Sequence, residues 1–181
     1  MSSDEVSELQ EAAEHARKNR RMAPVSLTMA VLAVLVATVG VLGHRAHTEE
    51  VLTQNKATDQ WSYYQAKNMR RSNYEALLEF MDAIPNLKLA EAAKAREHFQ
   101  SVIERYGEEQ KEIEKEARGL EAEVNLASRR AGRFDLGEVF LEIALVITSI
   151  TLLTERRSFW YFGIVVALLG VAVAATGYLV R

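Results

Sequence analysis

Asp135, Glu138 and Glu142 follow one another at spacings of three and four residues. On a helix all three share one face, and here that face descends into an otherwise apolar run. Ionisable groups at bilayer depth are costly and turn toward a bundle interior or a water-filled path. The chemistry open to them is a cation or proton path, or an acidic ring if several copies surround an axis. A plainer reading competes and is favoured. Glu138 lies within one turn of the interface, Arg129, Arg130 or Arg133 can neutralise part of the stripe, and the acids then serve as a structural pair or an interface. His44 and His47 lie three apart with Glu49 and Glu50 close by, a pair that could contribute to zinc binding. A closed zinc site needs three or four ligands, and His15 and His98 are far away in the chain. Interfacial packing and hydrogen bonding are the expectation for this pair, and no metal is expected.

Trp61, Tyr63 and Tyr64 could form a stacking platform for a ligand or nucleic acid, but that use calls for a basic groove. The net charge is −3, so no global field recruits nucleic acid. The aromatic set is expected instead to pack helices together, with Gln65 and Lys67 bonding across the contact. The sequence has no phosphate loop, nucleophile elbow, triad arrangement or zinc-protease motif, and no cysteine at all. Disulfides and thiolate chemistry are excluded, neither enzyme activity nor a cofactor is expected, and the redox compartment stays unread.

The elements that must position these residues are helices. The chain has two prolines and nine glycines, little punctuation for strands and turns. From Leu89 onward, apolar or small residues recur in strict three/four alternation at Ala92, Phe99, Ile103, Tyr106, Ile113, Ala117, Leu120, Val124, Ala127, Ala131 and Phe134. Arg96 and Gln110 are the polar entries. Such a seam belongs to a helix packed on another helix, in a rod about 70 Å long at 1.5 Å per residue. Before it, Trp61, Tyr63, Tyr64, Tyr74, Leu77, Leu78, Met81 and Ile84 supply the apolar side of a helix that Pro85 and Asn86 interrupt. Two arms of nearly matched length around one tight turn at 85–87 predict an antiparallel helical hairpin, coiled-coil-like, over residues 44–135.

Three apolar runs flank or follow that hairpin. Residues 23–43 carry no charge and are long enough to cross a bilayer. The run is too long for a signal-peptide core and leads into Gly43-His44-Arg45, so it reads as an uncleaved anchor. Residues 136–154 form the second span and 159–180 the third, joined by a short loop at 155–158. Small residues line one stripe of the first span (Ala23, Ser26, Ala30, Ala33, Ala37, Gly40) and one of the third (Gly163, Ala167, Gly170, Ala174, Gly177). In lipid, stripes of this kind let helix backbones approach closely. They lead to the expectation of a homo-oligomer, or of a subunit in a larger membrane complex, held mainly by the third-span stripe. Arg17, Lys18, Arg20 and Arg21 before the first span and Arg156-Arg157 in the short loop place the 1–22 segment and that loop in the cytoplasm. The hairpin and C-terminus then lie outside, although Arg129, Arg130 and Arg133 argue the other way.

The stretch Asp59-Gln60-Trp61-Ser62-Tyr63-Tyr64-Gln65-Ala66-Lys67 resembles a bacterial membrane-protein family designated domain of unknown function 4337. Arg133-Phe134-Asp135-Leu136-Gly137-Glu138, continuing through Leu141-Glu142-Ile143-Ala144-Leu145 to Leu152-Leu153-Thr154-Glu155-Arg156-Arg157, is a second match. Gly43-His44-Arg45-Ala46-His47 is similar in character. The resemblance runs from about residue 20 onward. It implies the three-span architecture and a bacterial inner-membrane source, and it supplies no catalytic residues. Sequence alone thus leads to an all-α, multi-pass membrane protein with a helical hairpin between spans one and two. The expected role is that of a non-enzymatic scaffold or accessory subunit, and the alternative is an oligomeric cation or proton channel.

Overall fold

A computed structural model describes the backbone of residues 3–84 and 90–180, and the side chains of residues 22–84 and 92–180. The expected turn at 85–87, Leu89 and the side chains of the basic cluster at residues 17–21 lie outside the described residues. Among the described residues the chain forms three helices: α1 (Ser3–Ala83), α2 (Ala90–Thr154) and α3 (Arg157–Thr176). α1 runs through Pro24 without a break. Nearby, the Thr28 hydroxyl donates to the Pro24 carbonyl at 2.8 Å. The loop expected at 155–158 shrinks to residues 155–156. Glu155 takes φ 56° and its N–H donates to the Thr151 carbonyl at 2.8 Å, the left-handed stop that ends a helix abruptly.

Contacts divide the chain into two units, Met1–His47 with Ser128–Arg181, and Thr48–Ala127. The first is a three-helix bundle. Its core gathers Leu32, Val39 and Ala46 from α1, Ala131, Phe134, Leu141 and Ala144 from α2, and Ala167 and Ala174 from α3. Each of the three helices includes a stretch long and apolar enough to cross a membrane. Polar contacts mark the two ends of the bundle. At one, the Trp160 indole N–H donates to Thr28 Oγ1 at 3.1 Å. At the other, His47 meets Asp135, Phe134 meets the Tyr178 ring edge-on, and Arg130 Nε donates to the Val180 carbonyl. From Thr28 to His47 α1 rises about 28 Å at 1.5 Å per residue. That matches a hydrocarbon layer of about 30 Å.

Small residues bring α2 and α3 together. A Cβ built on Gly137 would stand 2.7 Å from the Ala174 Cβ and 2.9 Å from the Gly170 carbonyl oxygen. A Cβ on Gly170 would stand 2.9 Å from the Gly137 carbonyl oxygen. The two glycines face each other, and neither position has room for a side chain. One end of the same contact is closed by Gly163, whose missing side chain leaves space for the Thr148 hydroxyl.

The second unit is an antiparallel pair. The α2 side follows the expected seam: Gln110, Ile113, Ala117 and Ala127 are buried, and Phe99, Ile103, Tyr106, Leu120 and Val124 are half-buried. Facing it, α1 presents Thr53, Ala57, Gln60, Tyr64, Lys67, Arg71, Tyr74, Leu78 and Met81, all buried or half-buried and again alternating by four and three. This partner seam is half polar, so hydrophobic periodicity alone does not reveal it.

Candidate functional site

Where α2 enters its apolar run, two of its carboxylates lie against glycines of α1. A Cβ on Gly43 would stand 3.0 Å from Asp135 Oδ1, and one on Gly40 would overlap the Glu138 carboxylate. Asp135 Oδ2 pairs with His47 Nε2 at 2.9 Å. The helices are antiparallel here, so Glu142 lies one turn deeper than Glu138 and about 10 Å beyond Asp135 along the axis. Glu138 is half-buried and Glu142 exposed. His47 thus engages the acidic stripe, and both His47 and His44 are exposed. Among the described residues, no group of three or more His, Cys, Asp or Glu side chains gathers to hold a metal ion.

The two small-residue stripes have different fates. Gly163, Ala167, Gly170, Ala174 and Gly177 are buried, and the Gly163–Ala174 stretch is turned against α2 of the same chain. The stripe expected to join copies is thus occupied within the chain. Its partner Gly137 escaped notice because a single glycine makes no pattern. Ala30, Ala33 and Ala37 of α1 are exposed, and their stripe ends at Gly40, beneath Glu138. Small residues and carboxylates therefore meet along the α1–α2 side of the bundle.

In the helix pair, Trp61 and Tyr64 are half-buried and stack edge to face, and the Trp61 indole N–H donates to Glu121 Oε1 at 2.8 Å. Tyr63 is exposed instead. One turn on, a polar layer crosses the seam. Lys67 pairs with Glu109, its ammonium 4.9 Å from the Tyr106 ring centroid and 5.3 Å from that of Tyr63. Buried Gln110 donates to Asn68 Oδ1 at 3.1 Å and accepts from Arg71 at 3.3 Å. The second polar entry, Arg96, bonds Asp82 at 2.7 Å and the Met81 carbonyl at 3.3 Å. Polar positions in a seam fix register because only one alignment satisfies them.

The hydrogen bond to Glu109 raises the Lys67 ammonium above its ordinary value of 10.5, against the opposing pull of burial and with help from Tyr63. A raised lysine stabilises the folded form fully below the unfolded value, and that contribution fades as pH climbs through the folded value. The Lys67 contribution to thermal stability should therefore hold level below pH 10.5 and fall away above it. In Lys67→Met the part of the alkaline drop due to this lysine should vanish, and an unchanged drop would reject the assignment.

Beside the seam, Asp59 and Tyr63 are exposed. Asp59, Gln60 and Tyr63 line an open groove of about 540 Å³ together with Lys56, Glu116 and Leu120.

Fold and site together define an all-α protein with three helices long and apolar enough to cross a membrane, forming a three-helix bundle in one unit and an antiparallel helix pair in the other. The chain belongs to the family described as Domain of unknown function (DUF4337), whose model matches residues 21–180. No curated protein and no solved structure matches it.

Proposed function

We propose that the chain is a membrane-anchored, non-enzymatic scaffold or accessory subunit of a membrane complex, resident in a bacterial cytoplasmic membrane. The observation that carries this reading is Glu142. It is exposed on the bundle surface about 10 Å inside the boundary that His47 and Asp135 mark. A carboxylate at the centre of a span costs about 3 kcal/mol on insertion scales. A covering membrane helix, from a partner or another copy, relieves that exposure. The exposed Ala30, Ala33 and Ala37 of α1 allow such a helix to come close. The basic residues before span one and at Arg156-Arg157 favour a cytoplasmic N-terminus and short loop.

Mass measurement after gentle extraction into nanodiscs tests the reading. The native chain should run as an oligomer or a defined complex. The double variant Ala33→Leu/Ala37→Leu should release a folded monomer. A native chain that is already a clean monomer overturns it.

A cation or proton path is the second reading. It is favoured by the way Asp135 and Glu138 lean in sequence on Gly43 and Gly40, a column of carboxylates leading inward from the boundary. Proton flux in liposomes that Glu138→Gln and Glu142→Gln abolish would select it. Liposomes as tight as empty ones would discard it.

A further inference from the structure

The apolar side expected of α1 in the second unit divides around the helix. Leu78 and Met81 lie on the half-buried seam that faces α2, whereas Met69, Leu77 and Phe80 are exposed. Ala66, Met69, Asn73, Ala76, Phe80 and Ala83 are all exposed and alternate strictly by three and four residues. They form a second seam on the side of α1 turned from α2, uncharged over about 26 Å of helix. Continued toward the N-terminus, the same register reaches Asp59 and Asn55, and the apolar face ends there. In heptad terms Ala66, Asn73 and Phe80 take a positions, and Met69, Ala76 and Ala83 take d positions. A single asparagine at an a position fixes register and the number of strands.

We propose that this face is covered by the same face of a second copy, α1 on α1, in a parallel two-stranded contact centred on Asn73. The inference rests on the scaffold reading in its self-associating form and adds the surface outside the membrane. Copies inserted with one topology run α1 in the same sense, so equal positions meet. Asn73 then faces its own counterpart, and two side-chain amides, each donor and acceptor, satisfy one another. A slip of one heptad sets the amide against Ala66 or Phe80 and leaves it unpaired. The flanks agree, because in the same register Arg70 of one copy falls beside Gln65 of the other, with no like charges opposed. Area decides how strong the contact is. Met69 is 68% exposed, Phe80 65% and Leu77 47%. At about 200 Å² for a large apolar residue, these and the alanines offer roughly 500 Å² per copy, and a pair reaches the roughly 1,000 Å² that a specific interface needs. That suffices for copies already held together in a membrane and falls short once the membrane contact is broken.

The test uses the full chain in cell membranes, with single cysteines added to a sequence that has none. Under mild oxidation Met69→Cys, Ala76→Cys and Ala83→Cys should each give a disulfide-linked dimer of the chain. Ser101→Cys and Glu112→Cys, at exposed positions of α2, should stay monomeric. Adding Met69→Glu/Phe80→Glu to Ala76→Cys should abolish its dimer while the thermal melt stays native, since both side chains are exposed. Adding Asn73→Asp instead sets two carboxylates against each other and should also lose the dimer. Equal crosslinking at 76 and 101 would mean random collision and overturns the proposal. So does a dimer that survives either set of added charges. Crosslinks to a different protein would make that protein the occupant and overturn it too. An oligomer in nanodiscs without crosslinks at 69, 76 and 83 removes this inference alone, whereas a clean monomer there removes the scaffold reading with it.

Discussion

Gly170→Leu will destabilise the three-helix bundle by about 3 kcal/mol, as an overpacked contact. The contact it fills is backbone on backbone. A Cβ at position 170 already stands 2.9 Å from the Gly137 carbonyl oxygen, 3.0 Å from the Phe140 Cβ and 3.1 Å from Leu141 Cγ. None of these is the loose end of a flexible side chain, so α2 and α3 must separate to admit leucine. Separation also strips contacts from Ala167 and Ala174, which lie on the same buried stripe. Denaturation in mixed micelles, followed by helicity and by tryptophan fluorescence, reports the loss. Gly119→Ala supplies the opposite sign, because a Cβ there meets nothing within 4 Å. It should stabilise the chain by about 0.5–1 kcal/mol through helix propensity. A Gly170→Leu chain as stable as the native one would mean that α3 does not pack on α2 through this stripe.

Ile113→Asp should cost about 4 kcal/mol, since it places a carboxylate at a buried seam position and removes an apolar side chain as well. Ile113 is 7% exposed and lies between buried Gln110 and Ala117. The nearest cations of the seam are already committed, Lys67 to Glu109 and Arg71 to Gln110 and Glu75. Exposed Glu112 provides the control: Glu112→Asp should move stability by no more than about 0.5 kcal/mol. A thermal transition of Ile113→Asp that coincides with the native one would show that the two helices do not meet along this seam.

How much of this was legible in the sequence depended on whether the pattern was apolar. The α2 seam and the three apolar runs announce themselves through hydrophobicity, and the structure has helices throughout both. The α1 seam does not, because Thr53, Gln60, Lys67 and Arg71 occupy positions that a hydrophobic search leaves blank. Charge complementarity with Glu109 and Gln110 was the signal available, since Gln110 breaks the α2 seam and needs a polar answer from across the pair. Among the aromatic residues, Trp61 and Tyr64 turn inward and Tyr63 outward. Helical phase separates position 63 from position 64 by about 100 degrees, which a run of three aromatics conceals. The third-span stripe showed that a close contact existed and not with what. Its answer is Gly137, a lone small residue on α2 whose role emerges only when the two helices are brought together. The acidic stripe was readable as a face. Its division into a paired Asp135, a half-buried Glu138 and an exposed Glu142 follows from where Gly40, Gly43 and His47 fall on α1, a register that no single helix encodes.

The central claim is that the first unit crosses a membrane with residues 155–158 at one face and residues 44–47, 128–135 and 178–180 at the other. The chain has no cysteine, so single cysteines can report the side without background. Ser128, Ser158 and Leu179 are exposed and suit the purpose. Labelling of sealed vesicles of one orientation with an impermeant maleimide should modify the cysteines at 128 and 179 together, and the cysteine at 158 only after the membrane is opened, or the reverse in vesicles of opposite orientation. Simultaneous labelling of 158 and 179 in sealed vesicles would contradict the account, because α3 would then not cross the bilayer.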